Sequence, residues 1–371
     1  MILTAAGCLF LFGVFYVAFL WYIRSVWPTD PEVVQLSTSD GCSIVIVARN
    51  EEHHIAKTLR AVHDSASVYG QHEIILVDDH SEDRTVNVAR SLDISNLRVL
   101  QLREHISDVS HKAFKKAGQH LGISQASYPI ILTTDADCEP GRYWVNHMVH
   151  HLQHADIVTG TIQLSHDSSL LGHLQAHDVR ATMMTTQAGI HNGYWYSANA
   201  ANMAFRKEDY LRYAKQMDYS LASGDDVAFV QWAANQDAKV EFCVNTSAAV
   251  LTPAEDTWTS FFRQRVRWAT KTTGYKHRGL LYLWTSLYVV QIMFVVGLVL
   301  CLWSGLLGLL IATVSIALKA FVDRSAITPK KTLYPIWMAP LLSIIHSLYV
   351  VFIGLQALFQ KNYIWKGRRV S

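Results

Sequence analysis

Two long stretches almost without charged residues constrain the fold of this chain more than any other feature. Residues 2–23 carry no charge and end at Arg24, and residues 280–322 are apolar apart from the break Trp303-Ser304-Gly305 and Lys319. Inside a bilayer every backbone N–H and C=O must find its partner within the segment, so runs of this length fold as helices. The first suits one spanning helix, and the second suits two joined by a tight turn. Residues 333–359 form a further apolar segment, with Pro335 and Pro340 in its first half. Those prolines would kink a spanning helix or mark an interfacial or re-entrant one. A cleaved signal peptide fits residues 2–23 poorly: no basic stretch precedes the run, it is long, and no A-x-A follows. It reads as a retained anchor.

Basic residues flank these segments at Arg24, Lys271, Lys276, Arg278, Arg324, Lys330, Lys331, Lys361, Lys366, Arg368 and Arg369. The positive-inside rule then puts the middle of the chain in the cytosol and the N-terminus outside. If all three C-terminal segments cross, the basic tail falls outside, against the same rule. The proline-bearing last segment is therefore expected not to cross fully. The organisation that follows is an anchor over 1–24, a globular domain over 40–272, membrane segments over 279–360 and a basic tail over 361–371. The protein is expected in an inner or plasma membrane. A net charge of +2 offers nothing to a nucleic-acid partner. Five scattered cysteines without C-x-x-C speak against a disulfide framework or a zinc site and agree with a reducing compartment.

In the globular part, short β-branched apolar runs alternate with helical stretches. Strands are predicted over 43–47, 74–77, 97–100 and 130–133, with helices over 51–63, 84–92 and 112–121. This rhythm predicts an α/β fold around a mostly parallel, doubly wound (Rossmann-like) sheet. Ligands of such sheets bind beyond the carboxyl ends of the strands. Acids stand at those ends: Asp78-Asp79 after the second strand, and Asp135 and Asp137 after the fourth. Neither G-x-G-x-x-G nor a P-loop occurs, so dinucleotide or Walker-type binding is unsupported.

The D-A-D at Asp135-Ala136-Asp137 ends an apolar strand. Side chains alternate faces along an extended backbone, so both acids converge on one ion only if the chain turns just after Thr134. A hard divalent cation shared with a phosphate suits such a strand end, whereas a lone D-x-D equally marks a solvated loop. Upstream, Ala48-Arg49-Asn50-Glu51-Glu52 is open to plain helix capping by Asn50, and Asp78-Asp79-His80-Ser81-Glu82-Asp83 to a capped turn. Lys115-Lys116 is open to a solvated pair. Downstream come Leu221-Ala222-Ser223-Gly224-Asp225-Asp226 and Arg263-Gln264-Arg265-Val266-Arg267-Trp268. The first could be a helix cap, and the second a basic stretch at a membrane surface.

Taken in order, these motifs resemble family 2 glycosyltransferases, inverting enzymes of the GT-A nucleotide-sugar fold, over roughly residues 43–268. Asp225 stands where the family's G-E-D has glutamate, and Phe114 where its G-K-K has glycine. The resemblance implies that Ala48, Arg49 and Glu51 hold the nucleotide and that Asp79 contacts the base or ribose of a uridine nucleotide. Lys115 would face the diphosphate. Asp135 would contact ribose or the metal indirectly, and Asp137 would coordinate Mg²⁺ or Mn²⁺. Asp226 would take the proton from the acceptor hydroxyl, with Asp225 supporting it or raising its pKa by like-charge repulsion. Gln264 and Arg267 would engage the diphosphate and Trp268 would floor the acceptor site. The three share one face at helical spacing.

The resulting expectation is a membrane-bound, metal-dependent glycosyltransferase taking a nucleotide-sugar, a UDP-sugar first, to a membrane lipid or glycan acceptor. A processive polysaccharide synthase and a non-catalytic nucleotide-sugar-binding scaffold are the alternatives. A channel or transporter is unsupported, because the apolar segments carry few charges. Two clusters lie outside the resemblance. His147, His150, His151 and His154 line one helix face, which reads as a wet or half-buried face rather than zinc ligands. Tyr194-Trp195-Tyr196 offers flat apolar surface for a sugar ring, a lipid chain or the core.

Overall fold

A computed structural model of the chain describes residues 1–28, 40–105, 114–219, 224–270, 278–327, 334–359, 363–365 and 368–370. Leu221-Ala222-Ser223, the helix start expected at Lys112, and Lys271, Lys276, Lys330, Lys331, Lys361 and Lys366 lie outside the described residues. The strands are β1 Cys42–Ala48, β2 His72–Asp78, β3 Leu97–Gln101, β4 Ile130–Asp135, β5 Glu139–Pro140, β6 Ile157–Gly160, β7 Ile162–Ser165, β8 Met203–Arg206, β9 Val240–Cys243, β10 Val250–Pro253, β11 Tyr363–Trp365 and β12 Arg368–Val370. The helices are α1 Ile2–Ser25, α2 Ile55–Tyr69, α3 Thr85–Arg90, α4 Phe114–Ser124, α5 Trp144–Leu152, α6 Leu170–Asn192, α7 Lys207–Ala214, α8 Asp225–Ala234, α9 Trp258–Thr270, α10 Arg278–Leu302, α11 Gly305–Ile327 and α12 Ala339–Phe359. They fall into two compact units.

One unit, residues 28–165, 196–253 and 362–371, is built on a seven-stranded sheet in the order β3-β2-β1-β4-β8-β6-β9. β3, β2, β1 and β4 run parallel, while β8 runs antiparallel to both β4 and β6. The expected mostly parallel, doubly wound sheet is present. Parallel strands are covered on both faces, which is why β1, β2 and β4 read as unbroken apolar runs. The order reverses at β1, with β2 on one side and β4 on the other, and this is where such sheets open a crevice. Helix α4 descends antiparallel to β1 through two glycines. A Cβ on Gly122 would lie 2.5 Å from Val45 Cγ1, and one on Gly118 would lie 3.0 Å from Val47 Cγ1. That close approach brings the first turn of α4, with Lys115 and Lys116, to the carboxyl ends of the strands.

The other unit, residues 1–27, 166–195 and 254–361, is helical. Ile2–Ser25, Arg278–Leu302, Gly305–Ala326 and Ile336–Phe359 are each long and apolar enough to cross a membrane. Pro335 precedes the last of these and Pro340 falls in the first turn of α12. A first-turn proline lacks only an N–H that has no helical partner anyway, so α12 is not broken there.

The apolar segments also hold charge that their pattern does not foreshadow. Lys319 and Asp323, one turn apart on α11, are fully buried and paired at 2.7 Å. Asp323 also accepts from the Tyr16 hydroxyl of α1 and, at 2.7 Å, from Ser343 Oγ of α12. Three helices are therefore tied at one carboxylate. Asp323→Ala leaves Lys319 without its counter-charge and should cost roughly 2.5–3.5 kcal/mol. Replacing Lys319 by Met as well should recover most of that loss. Unfolding of the purified chain in mixed micelles reads both, and an Asp323→Ala protein as stable as the double variant would contradict the assignment.

Candidate functional site

The register of the sheet assembles the site. Ala48 pairs with Asp78 across β1 and β2, and Val47 with Asp135 across β1 and β4, so the three strands end level. Asp79 N donates to Ala48 O at 2.8 Å and continues the ladder one residue further. Beyond it the β1–α2 and β2–α3 loops lock together. Arg49 is buried, and its Nη1 donates to the carbonyls of Asp79 at 3.1 Å and His80 at 3.0 Å while Nη2 reaches Glu82 at 3.2 Å. Asn50 sits at φ +53° and its side chain accepts from Glu82 N at 2.9 Å. It therefore clasps the opposite loop and does not cap α2, which starts four residues later than the 51–63 expectation. Glu51 N donates to Thr85 Oγ1 at 2.7 Å. Asp78 and Asp79 are fully buried beneath these loops, and His80 Nδ1 lies 3.1 Å from Asp79 Oδ1.

At the end of β4 the chain turns at Ala136-Asp137, one residue after the expected place, and Thr58 Oγ1 of α2 holds the turn through Ala136 O at 2.9 Å. Carboxylate oxygens of Asp135 and Asp137 and the Cys138 sulfur then lie within 4.8 Å of one another. Burial raises the Asp137 carboxyl pKa, and the like charges of Asp135 and Glu51 raise it further. Burial, with Asp135 and Asp137, pushes the Cys138 thiol well above its usual value. The two carboxylates offer a cation hard oxygen donors, which fit Mg²⁺ or Mn²⁺.

Lys115 and Lys116 are not a solvated pair. Lys115 Nζ meets Asp135 Oδ1 at 2.6 Å. Burial would lower its pKa, but Asp135, with Asp226 and Asp137 behind it, raises it instead. Lys116 is buried and pairs with Asp225 at 2.6 Å while donating to Asp218 O at 2.8 Å. Asp225 is thereby neutralised by a lysine, a partner absent from the expected like-charge pressure on Asp226. Gly224 takes φ +92° and opens α8, placing Asp225 and Asp226 in its first turn. Asp226 accepts from Ala200 N at 3.2 Å and Val227 N at 2.9 Å. Phe114, where a glycine was the family pattern, is buried edge-on to His80 at 5.2 Å.

Ala48, Arg49, Glu51, Asp79, Lys115, Asp135, Asp137 and Asp226 thus gather in the sheet unit. Gln264, Arg267 and Trp268 lie on α9, which belongs to the helical unit. There Gln264 Nε2 donates to Glu255 at 2.8 Å and its Oε1 accepts from Arg265 Nη1 at 2.7 Å. Residues the motif reading passed over are Lys116, Cys138, Asp178 and Arg265. Adjacency to Lys115 and Asp137 signals the first two, whereas nothing local signals Asp178. The histidine stripe divides: His147 is buried against Ser247 at 3.0 Å, His151 pairs with Glu241 at 2.9 Å, and His150 touches the rings of His151 and His154. Trp195 is core, its Nε1 donating to Thr185 O at 3.0 Å.

If Arg49 is the clasp of the two loops, Arg49→Lys removes the forked contacts that a single ammonium cannot replace. Stability should fall by roughly 1.5–3 kcal/mol, the usual loss for a charge-assisted hydrogen bond. Denaturant unfolding measures it, and an unchanged midpoint would refute the clasp.

Residues 43–212 match the family model described as glycosyl transferase family 2. The glycosyltransferase AglE of Haloferax volcanii is 29% identical over 134 residues, 35% of this chain and 42% of that protein. The poly-beta-1,6-N-acetyl-D-glucosamine synthase of Staphylococcus aureus is 26% identical over 166 residues, 44% of this chain and 38% of the synthase. The matches span about two fifths of these relatives' own length. Among solved structures, the mannosyltransferase PcManGT from Pyrobaculum calidifontis, in complex with GDP-Man and Mn²⁺, has a TM-score of 0.66 at 14% identity, covering 97% of this chain and 100% of that one. Residues 43–212 thus carry a glycosyl transferase family 2 match, and the sheet they contribute to has a GT-A-like fold.

Proposed function

We propose that this chain is a membrane-bound, inverting glycosyltransferase that moves one sugar from a nucleotide-sugar to a membrane-proximal lipid acceptor. The observation that carries the reading is the gathering of Asp135, Asp137, Glu51, Lys115 and Asp226 at level strand ends. Four helices with the length and composition of membrane spans support a bilayer location, with the domain of residues 40–272 on the cytosolic side.

In this reading Ala48, Glu51 and the buried Asp79 receive the nucleoside, uridine first. Arg49 shapes their loop, and Asp135 reaches ribose. Asp226 takes the proton from the acceptor hydroxyl as its oxygen attacks the anomeric carbon in line. The bond to the diphosphate oxygen breaks on the far side, its electron pair leaves with the nucleoside diphosphate, and the configuration inverts. Lys115 offsets the charge that develops on the leaving group. A Mg²⁺ or Mn²⁺ bound through Asp137 would supply further neutralisation of that diphosphate. Gln264, Arg267 and Trp268 keep the parts that the motif resemblance assigns them and rest on sequence alone.

The test is a screen of uridine- and guanosine-diphosphate sugars for release of free nucleoside diphosphate by the full chain in lipid vesicles, with and without Mn²⁺. The fold neighbour's GDP-Man is the reason for including guanosine. Asp226→Asn should reduce transfer by about 10²–10⁴-fold, the usual weight of a general base, while donor binding persists. Asp137→Asn should weaken donor binding chiefly when Mn²⁺ is present. Undiminished transfer by Asp226→Asn, or no turnover of any donor by the unmodified chain, would sink the reading.

A further inference from the structure

We infer that Asp178 is a positioning residue: through Arg265 it fixes Gln264 and Trp268 of the Q-x-x-R-W motif and fastens them to helix α12. The inference rests on the acceptor-side role given above to Trp268, but its geometry lies wholly within the helical unit. Asp178 sits on α6, outside every motif.

One carboxylate gathers three elements. Arg265 Nε on α9 lies 3.0 Å from Asp178 Oδ2, Tyr349 Oη on α12 donates to Oδ1 at 2.6 Å, and His346 Nε2 on α12 lies 3.5 Å from the same oxygen. Asp178 and Arg265 are 13% and 4% exposed, so the pair is shielded from competing water. Burial would raise the Asp178 pKa, yet Arg265, then His346 and Tyr349, hold it below the ordinary carboxylate range. The carboxylate is accordingly charged at any working pH.

Arg265 passes that constraint on. Its guanidinium carbon lies 4.2 Å from the Trp268 ring centroid and 4.9 Å from that of Phe261. Its Nη1 donates to Gln264 Oε1 at 2.7 Å, which leaves the Gln264 amide nitrogen to donate to Glu255 at 2.8 Å. Glu255 returns to α6, its N–H donating to Gln175 Oε1 at 2.9 Å and its carbonyl accepting from Gln175 Nε2 at 2.9 Å. The circuit α6–α9–α6 is therefore closed around two motif side chains. Phe261 and Tyr349, with ring centroids 5.3 Å apart, pack the space beside it. An arginine chosen only for a membrane surface would lie exposed and unpaired, whereas Arg265 is buried, set against two aromatic rings and ionically held.

Asp178 thus acts at one remove from any reacting atom, and its loss should show in acceptor use through Trp268 and in donor use through Gln264. The experiment uses the full chain in lipid vesicles with Asp178→Asn, Asp178→Glu, Arg265→Gln, Tyr349→Phe and the Asp178→Asn/Arg265→Gln pair. Trp268 fluorescence is isolated as the difference between each protein and the same protein carrying Trp268→Phe. Asp178→Asn should shift this difference spectrum, Asp178→Glu should restore it, and Tyr349→Phe should shift it less in the same direction. Transfer kinetics should show kcat/KM for the acceptor falling on the order of a hundredfold in Asp178→Asn, the scale of a misplaced contact group, with the donor KM rising as Gln264 loses its place. The double variant should be no worse than the worse single one, as for residues acting through a shared partner. An unchanged Trp268 spectrum in Asp178→Asn overturns the inference, and so does a double variant whose losses multiply. Should the unmodified chain transfer no sugar while the Trp268 shift appears as stated, the positioning contact stands and the glycosyl-transfer reading falls.

Discussion

Everything in the sheet unit depends on keeping several negative charges close together at the ends of three parallel strands. Asp135 and Glu51 repel the half-buried Asp137, and a fold tolerates this where register leaves no alternative. The ladder Val47–Asp135 and Ala48–Asp78 fixes the level at which the three strands end, and with it where the acids after β2 and β4 stand. Burial first, and then that repulsion, raises the pKa of Asp137, a strain that a divalent cation or a cationic side chain relieves.

Helix α4 provides the cationic side chains, and its neighbouring lysines divide the work. Lys115 leans to Asp135 on β4, and Lys116, turned inward, holds Asp225 at the start of α8. The end of β4 and the start of α8, which carries Asp226 beside Asp225, are thereby indexed to a single helical turn. Gly118 and Gly122 let that turn reach the strand ends. A side chain at either position would lift α4 away from β1 and loosen both ion pairs together.

How far the sequence discloses this arrangement follows from how local each cause is. Strands β1, β2 and β4 are legible because burial on both faces leaves unbroken β-branched runs, and their terminal acids interrupt those runs. The first turn of α2 is misread for an equally local reason. Asn50, Glu51 and Glu52 look like helix-capping residues, yet their amides and side chains serve the neighbouring loop through Glu82, Thr85 and Asp83. The partners of Lys116, Arg265 and Lys319 are not legible at all for the first two: Asp225 and Asp178 lie far along the chain, and no periodicity marks them. Lys319 and Asp323 do stand at helical spacing, but only the packing of α1 and α12 shows that both are buried.

The helical unit repeats the logic of the sheet unit with different groups. In each, one carboxylate accepts from several elements at once: Asp323 from α11, α1 and α12, and Asp178 from α9 and α12. Apolar helices in a bilayer gain little from meeting one another, since lipid is as apolar as their own side chains. A buried carboxylate with donors on separate helices supplies what the hydrophobic effect cannot, a penalty for any arrangement that parts them. The N-terminal helix is on these grounds more than a tether, because Tyr16 is one of the donors that Asp323 requires. A chain that lost α1 would uncover the Asp323–Lys319 pair of α11, against which α1 packs.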